Sequence, residues 1–198
     1  MKYRYLFISL IILCPLLFFS NHSIYKRRSV EPAVSISSFI QLPPQFAATS
    51  TLGFKELLGN YIMLHVLTFM GDKILQEKET TKPEWANVYK AFRTIIHIDP
   101  RTTDPYILAT TTLPWEAGMV KETNVLLEKV AKFRTEDYRP YFFLWYNHFH
   151  FSQDYKKASI YLKKAASIKG SPSYLTPLVS RMHLASGQIE GAIIYTKE

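Results

Sequence analysis

The feature that most constrains the fold is a phased recurrence in the second half of the chain. Asp104-Pro105, Asp137-Tyr138-Arg139-Pro140 and Ser171-Pro172 each put a capping-type side chain shortly before a proline. A proline there fits the first turn of a helix, where its missing N–H costs nothing. The three signals are spaced by 33 and 34 residues, and each opens an apolar or aromatic run. A second set of positions keeps the same phase. Gly118, Gln153 and Gly187 fall where a turn must close the first helix. Thr123, Ala158 and Ala192 follow five residues later, small enough for two helices to cross closely. Leu127 with Val130, and Leu162 with Ala165, then continue an i, i+4, i+7 stripe. One period earlier, Val88, Phe92 and Ile95 occupy the same places, and Asp99-Pro100 ends that helix. A helical hairpin of this size cannot bury its own faces, so the units must stack.

This pattern resembles the tetratricopeptide repeat family. The best match is residues 137–170, with Phe142, Trp145 and Phe149 as the large residues of the first helix and Ala158, Leu162 and Ala165 in the second. Three positions depart from the family pattern: Tyr146 stands where Gly is preferred, Gln153 replaces the turn Gly, and Gly170 replaces the terminal Pro. The resemblance implies an all-α fold, an α-solenoid of helix–turn–helix units over about 53–100, 101–136, 137–170 and 171–198. It also implies a protein or peptide partner held in a concave groove lined by the first helices. Tyr106, Thr110, Arg139, Tyr146, Asn147 and His150 are the groove residues expected on that basis. In the irregular first unit, Gly53–Met70 reads as a helix apolar nearly all round, expected to be the most buried. Gly71–Pro83 reads as a long connection and Trp85–Ile98 as the partner helix. At the other end, Ala192, Ile193, Ile194 and Tyr195 form an apolar face expected to lie exposed unless it covers itself or meets a partner.

Ahead of the repeats, Lys2 and Arg4 precede Leu6–Phe19, a stretch without a charge. It is short of the roughly 20 residues that span a bilayer comfortably. A basic start followed by a short apolar core is how export signals begin. The small residues needed for cleavage are poorly placed around Ser20–Ser23, so residues 1–25 read as an uncleaved signal anchor. Cleavage with secretion stays open, as does a cytoplasm-facing orientation, because Lys26, Arg27 and Arg28 rival the first basic cluster. Residues 26–52 contain Pro32, Pro43 and Pro44 among small polar residues and read as an extended linker. The expectation is a single-pass membrane protein with its repeat domain in the periplasm.

Chemistry is sparse. One Cys excludes a disulfide framework and Cys-based zinc sites. No HExxH, Walker A or GxGxxG motif occurs. His148 and His150, two apart on a helix, point in nearly opposite directions and cannot share one ion. No enzyme activity, metal, cofactor or small-molecule substrate is therefore expected. The net charge of +8 is concentrated at the two ends, with a nearly neutral middle, unlike a continuous nucleic-acid footprint. Lys156, Lys157, Lys163, Lys164 and Lys169 form a candidate basic face, read first as a solvated helix surface. The function expected is a membrane-tethered interaction adaptor or scaffold. The alternative is a permanent structural or assembly subunit of a membrane complex.

Overall fold

The computed structural model describes Pro15 and residues 54–185, and the latter form seven helices and no strand. The long helix α1, Lys55–Leu75, is followed by α2, Lys82–Ile98. Glu84 sets the start of α2 by accepting from the Thr81 backbone N–H at 2.8 Å and its hydroxyl at 2.9 Å. Pro83 occupies the first turn, and Lys73 of α1 pairs with Glu84 at 2.8 Å, fastening the two helices at that end. α3, Asp104–Glu116, and α4, Val120–Phe133, form the next hairpin. α5, Arg139–Tyr146, runs directly into a π-helical turn, Asn147–Phe151, before α6, Tyr155–Ala166, and α7, Leu175–Ala185.

Each helix packs on the next, and α2 also touches α4, so the second helices of the first two units lie side by side. The phased positions lie where this packing is tightest. Val88, Phe92, Ile95, Thr123, Leu127, Val130, Ala158, Leu162 and Ala165 are all at most 1% exposed. Each large aliphatic or aromatic member contributes on the order of 1.5–3 kcal/mol by leaving water. The core falls into two clusters. One joins α1 to α5, and the other joins α5, α6 and α7 through Trp145, Leu162, Leu175 and Val179. Tyr141 and Tyr161 pack against both clusters, and Lys164 lies over both rings at 5.7 and 5.8 Å.

The turn positions follow the expected phase. Gly118 has φ +66° and Gln153 has φ +51°, both left-handed. Gln153 therefore takes the conformation that the family pattern reserves for glycine. The helix starts are less uniform than expected. Asp154 caps α6, accepting from the Lys157 N–H at 3.0 Å. Asp104 is instead the first residue of α3 and makes no capping bond. Ser171 serves the preceding helix, its hydroxyl donating to the Ala166 carbonyl at 3.0 Å, and α7 starts only at Leu175. Pro172 so lies in a turn, not a first helical turn.

The expectation for the first helix needs the larger correction. α1 extends through Leu75, absorbing residues assigned to the connection, and it is not the most buried helix. It buries one stripe, Gly59, Ile62, Val66 and Phe69, chiefly against α2. Phe54, Leu57, Tyr61 and Leu64 remain exposed. Apolar residues all round a helix bury themselves only when neighbours stand on both sides, and among the described residues α1 packs chiefly on α2. Among the described residues, no helix is long and apolar enough to cross a membrane. The segment 1–25 apart from Pro15, the linker 26–52, Gly187, Ala192 and the face around Ile193 lie outside the described residues.

Candidate interaction surface

The six expected groove residues divide into three groups. Tyr146 and His150 come together on a partly open surface, their rings stacked 5.3 Å apart with an interplanar angle of 18°. Trp115, at the end of α3, closes on the same group: its ring lies 5.2 Å from His150, 6.0 Å from Tyr146 and 5.0 Å from Phe151. Residues of two successive units thus build one aromatic cluster, with Trp115 52% exposed. The π-helical turn makes this possible. Its extra residue per turn rotates His150 and Phe151 away from the positions a continuing α-helix would give them. The repeat spacing singles out neither Trp115 nor Phe151 as a surface residue. Phe151 lies in the aromatic run, but Trp115 follows Pro114 at a helix end, where spacing alone gives no facing direction.

The second group centres on Asp137. Its carboxylate accepts from the Tyr106 hydroxyl at 2.8 Å, from Arg134 Nε at 2.9 Å, and from Arg139 Nε and Nη2 at 2.8 and 2.9 Å. The Arg139 backbone N–H adds a bond at 3.1 Å, which satisfies one open donor at the start of α5. Burial works to raise the Asp137 pKa, but the bonds from Arg139, Tyr106 and Arg134 outweigh it and hold the carboxyl well below the usual range. Burial and the facing carboxylate push the Tyr106 phenol well above its ordinary value. Tyr106 is wholly buried, so its role here is to join two units from inside. Arg139 remains partly open beside Asp137.

Thr110 and Asn147 make the third group and are both buried. Asn147 donates to the Asn124 side-chain oxygen at 2.8 Å, a polar pair between the π turn and α4. The Thr110 hydroxyl is buried without a hydrogen-bond partner among the described residues. These side chains offer no surface to a ligand in this arrangement.

The two neighbouring histidines face different neighbours. His148 stacks on Tyr161 at 5.4 Å, whereas His150 stacks on Tyr146. Burial first, then the charge of Lys157, lowers the His148 pKa. Among the described residues, no three His, Cys, Asp or Glu side chains converge as a metal-ligand group. On the basic face, Lys156, Lys157, Lys163, Lys164 and Lys169 are all exposed. Lys157 pairs with Asp154 at 3.4 Å, and Lys164 lies over two tyrosine rings, so this face is partly engaged in holding α6.

No family model matches the chain, and no curated protein matches it. Among solved structures, a crystal structure of MamA superposes with a TM-score of 0.49 at 13% identity, covering 76% of this chain and 81% of that one. A structure of MamA from residue 41 to its end, from Desulfovibrio magneticus RS-1, gives 0.45 at 11% identity, covering 78% and 89%. Both superpositions are loose, and the architecture stands on the chain's own helices and contacts.

Proposed function

We propose that this protein is a non-catalytic helical-repeat scaffold, tethered to a membrane by residues 1–25, that binds a protein partner through the Trp115–Tyr146–His150–Phe151 surface. The observation that carries the reading is the half-exposed Trp115 packed against rings from the next unit. Large aromatic side chains with one face open supply much contact area at little loss of rotamer freedom, which is why they dominate binding hot spots. Histidine and tyrosine edges in the same cluster offer polar groups to a peptide backbone. The tether supplies location and the repeat supplies the contact.

Site-specific photocrosslinking on the full-length protein in its own membranes tests this. A photoreactive phenylalanine analogue at position 115 is expected to trap a defined protein band, and the same analogue at exposed Lys90 is not. A Tyr146→Ala/His150→Ala variant with unchanged melting should lose the band. Equal capture at both positions would sink the proposal.

The exposed residues at the start of α1, with Phe54 just before it, favour a second reading, a permanent subunit of a membrane complex. Phe54, Leu57, Tyr61 and Leu64 follow a three-four spacing along one stripe. A partner that stays at equal stoichiometry through purification, and is lost on Leu57→Asp/Leu64→Asp, would favour that reading.

A further inference from the structure

A cleft of about 670 Å³, sharing no lining residue with the aromatic cluster, is bounded by Arg101, residues 133–139 and residues 169–170 beyond α6. Its charged lining is four cations, Arg101, Arg134, Arg139 and Lys169, against two carboxylates, Glu136 and Asp137. The floor is already built. Asp137 has both oxygens filled by Tyr106, Arg134 and Arg139, so its charge is satisfied from within. Arg134 Nη1 donates to the Arg101 carbonyl and ties the two turns together. Its guanidinium also lies 5.8 Å over the Tyr106 ring. Two guanidinium groups are therefore held in fixed orientation, each with an outer nitrogen that has no partner among the described residues. Arg101 and Lys169 stand at the rim without an ion pair among the described residues.

From this geometry we infer that the cleft is a docking site for an acidic peptide segment of a protein partner. The outer nitrogen of each guanidinium can donate a charge-assisted bond to an incoming carboxylate, and arginines already held in place lose little freedom on binding. The volume and open shape exceed what a single phosphate would fill. Phe133, half-exposed, and Tyr138 add apolar surface that a peptide side chain uses and a bare anion does not. The protein's overall positive charge draws such a segment in. The site adds a second contact to the scaffold reading and does not depend on the aromatic surface.

Fluorescence anisotropy on full-length protein in mild detergent tests the inference. The probe is a labelled Glu-Glu-Leu-Glu-Glu-Leu peptide, and its Gln-for-Glu counterpart serves as control. The acidic peptide is expected to bind and to weaken as salt rises. Arg101→Ala/Lys169→Ala, which spares the Asp137 network, should weaken it about tenfold. Lys90→Ala/Lys121→Ala removes the same charge elsewhere and should change it less than about twofold. Melting curves would verify that both variants fold. Equal weakening by the two variants would reduce the effect to net charge and overturn the site. So would equal binding of the Gln peptide, or displacement of the acidic peptide by inorganic phosphate at equal concentration. Phosphatidylserine vesicles that bind through Arg101 and Lys169, with the peptide failing to bind, would also overturn it and assign the cleft to lipid.

Discussion

Tyr106 shows how a residue can be read correctly as important and wrongly as accessible. Its place in the first turn of a first helix suggests a groove position, but its ring is wholly buried and its hydroxyl donates to Asp137 in the next unit. The partner is 31 residues away, about one period, so no local pattern reveals the bond. A hydrogen bond to a charged group out of water is worth about 1.5–3 kcal/mol. Tyr106→Phe keeps the packing and should lower unfolding stability by about 2 kcal/mol, read from the urea midpoint at neutral pH. A change below about 0.5 kcal/mol would show that the hydroxyl carries no weight. The turn residues, by contrast, were legible, because the period places Gly118 and Gln153 in register and both adopt positive φ. A side chain in that region is strained by its own Cβ. Gln153→Gly should therefore raise stability by about 0.5–1 kcal/mol, while Gly118→Ala should lower it by about 1 kcal/mol despite open space around it. Opposite signs at equivalent positions are the test, and equal signs would refute the shared turn geometry.

Among the elements, helices with a strong polar-apolar division are the ones the sequence defines well. α2, α4 and α6 carry the repeated stripe, and every position of that stripe is buried. α1 misled because it is apolar on most faces, so its composition reports helicity without reporting which side has a neighbour. The π turn after α5 was not legible at all. Nothing in Asn147–Phe151 distinguishes it from a continuing aromatic helix, and its register is fixed by contacts made elsewhere: Asn147 to Asn124, His148 to Tyr161 and His150 to Trp115. The Asn pair is buried on the Asn147 side, and truncating either partner leaves the other amide short of a bond. Asn147→Ala should cost about 1–2 kcal/mol. Adding Asn124→Ala to it should cost much less than Asn124→Ala does alone, a coupling of about 1 kcal/mol in a double-mutant cycle. Additive losses would mean that the π turn is held by its stacked rings alone.

In the molecule as a whole, the stack is linked by side chains that reach one unit ahead, and several are titratable. His97 on α2 accepts from Lys129 Nζ on α4 at 2.9 Å when its Nδ1 is unprotonated, and Tyr161 on α6 donates to Glu128 on α4 at 2.9 Å. The His97 and His148 pKa values are both lowered, first by burial and then by nearby cations. A histidine with a depressed folded pKa binds a proton more readily when unfolded. Its contribution to stability is complete above the unfolded value of about 6.5 and is lost as pH falls below it. Asp137 and Glu84 are also lowered, Asp137 chiefly by Arg139 and Glu84 chiefly by Lys73. Their contributions are complete above the unfolded carboxylate values, about 4, and disappear as pH falls further. The melting temperature should therefore hold steady just above neutrality, decline gently between about pH 6.5 and 4.5, and drop steeply below about pH 4. The two phases have separate owners, so substitution separates them. His148→Leu removes one proton-binding group and should flatten the gentle phase while leaving the steep one, even if losing the stack on Tyr161 lowers the whole curve. Asp137→Asn should do the reverse. A curve displaced as a whole, with both slopes intact in both variants, would show that acid acts on the net charge of the chain, and not on the links between its units.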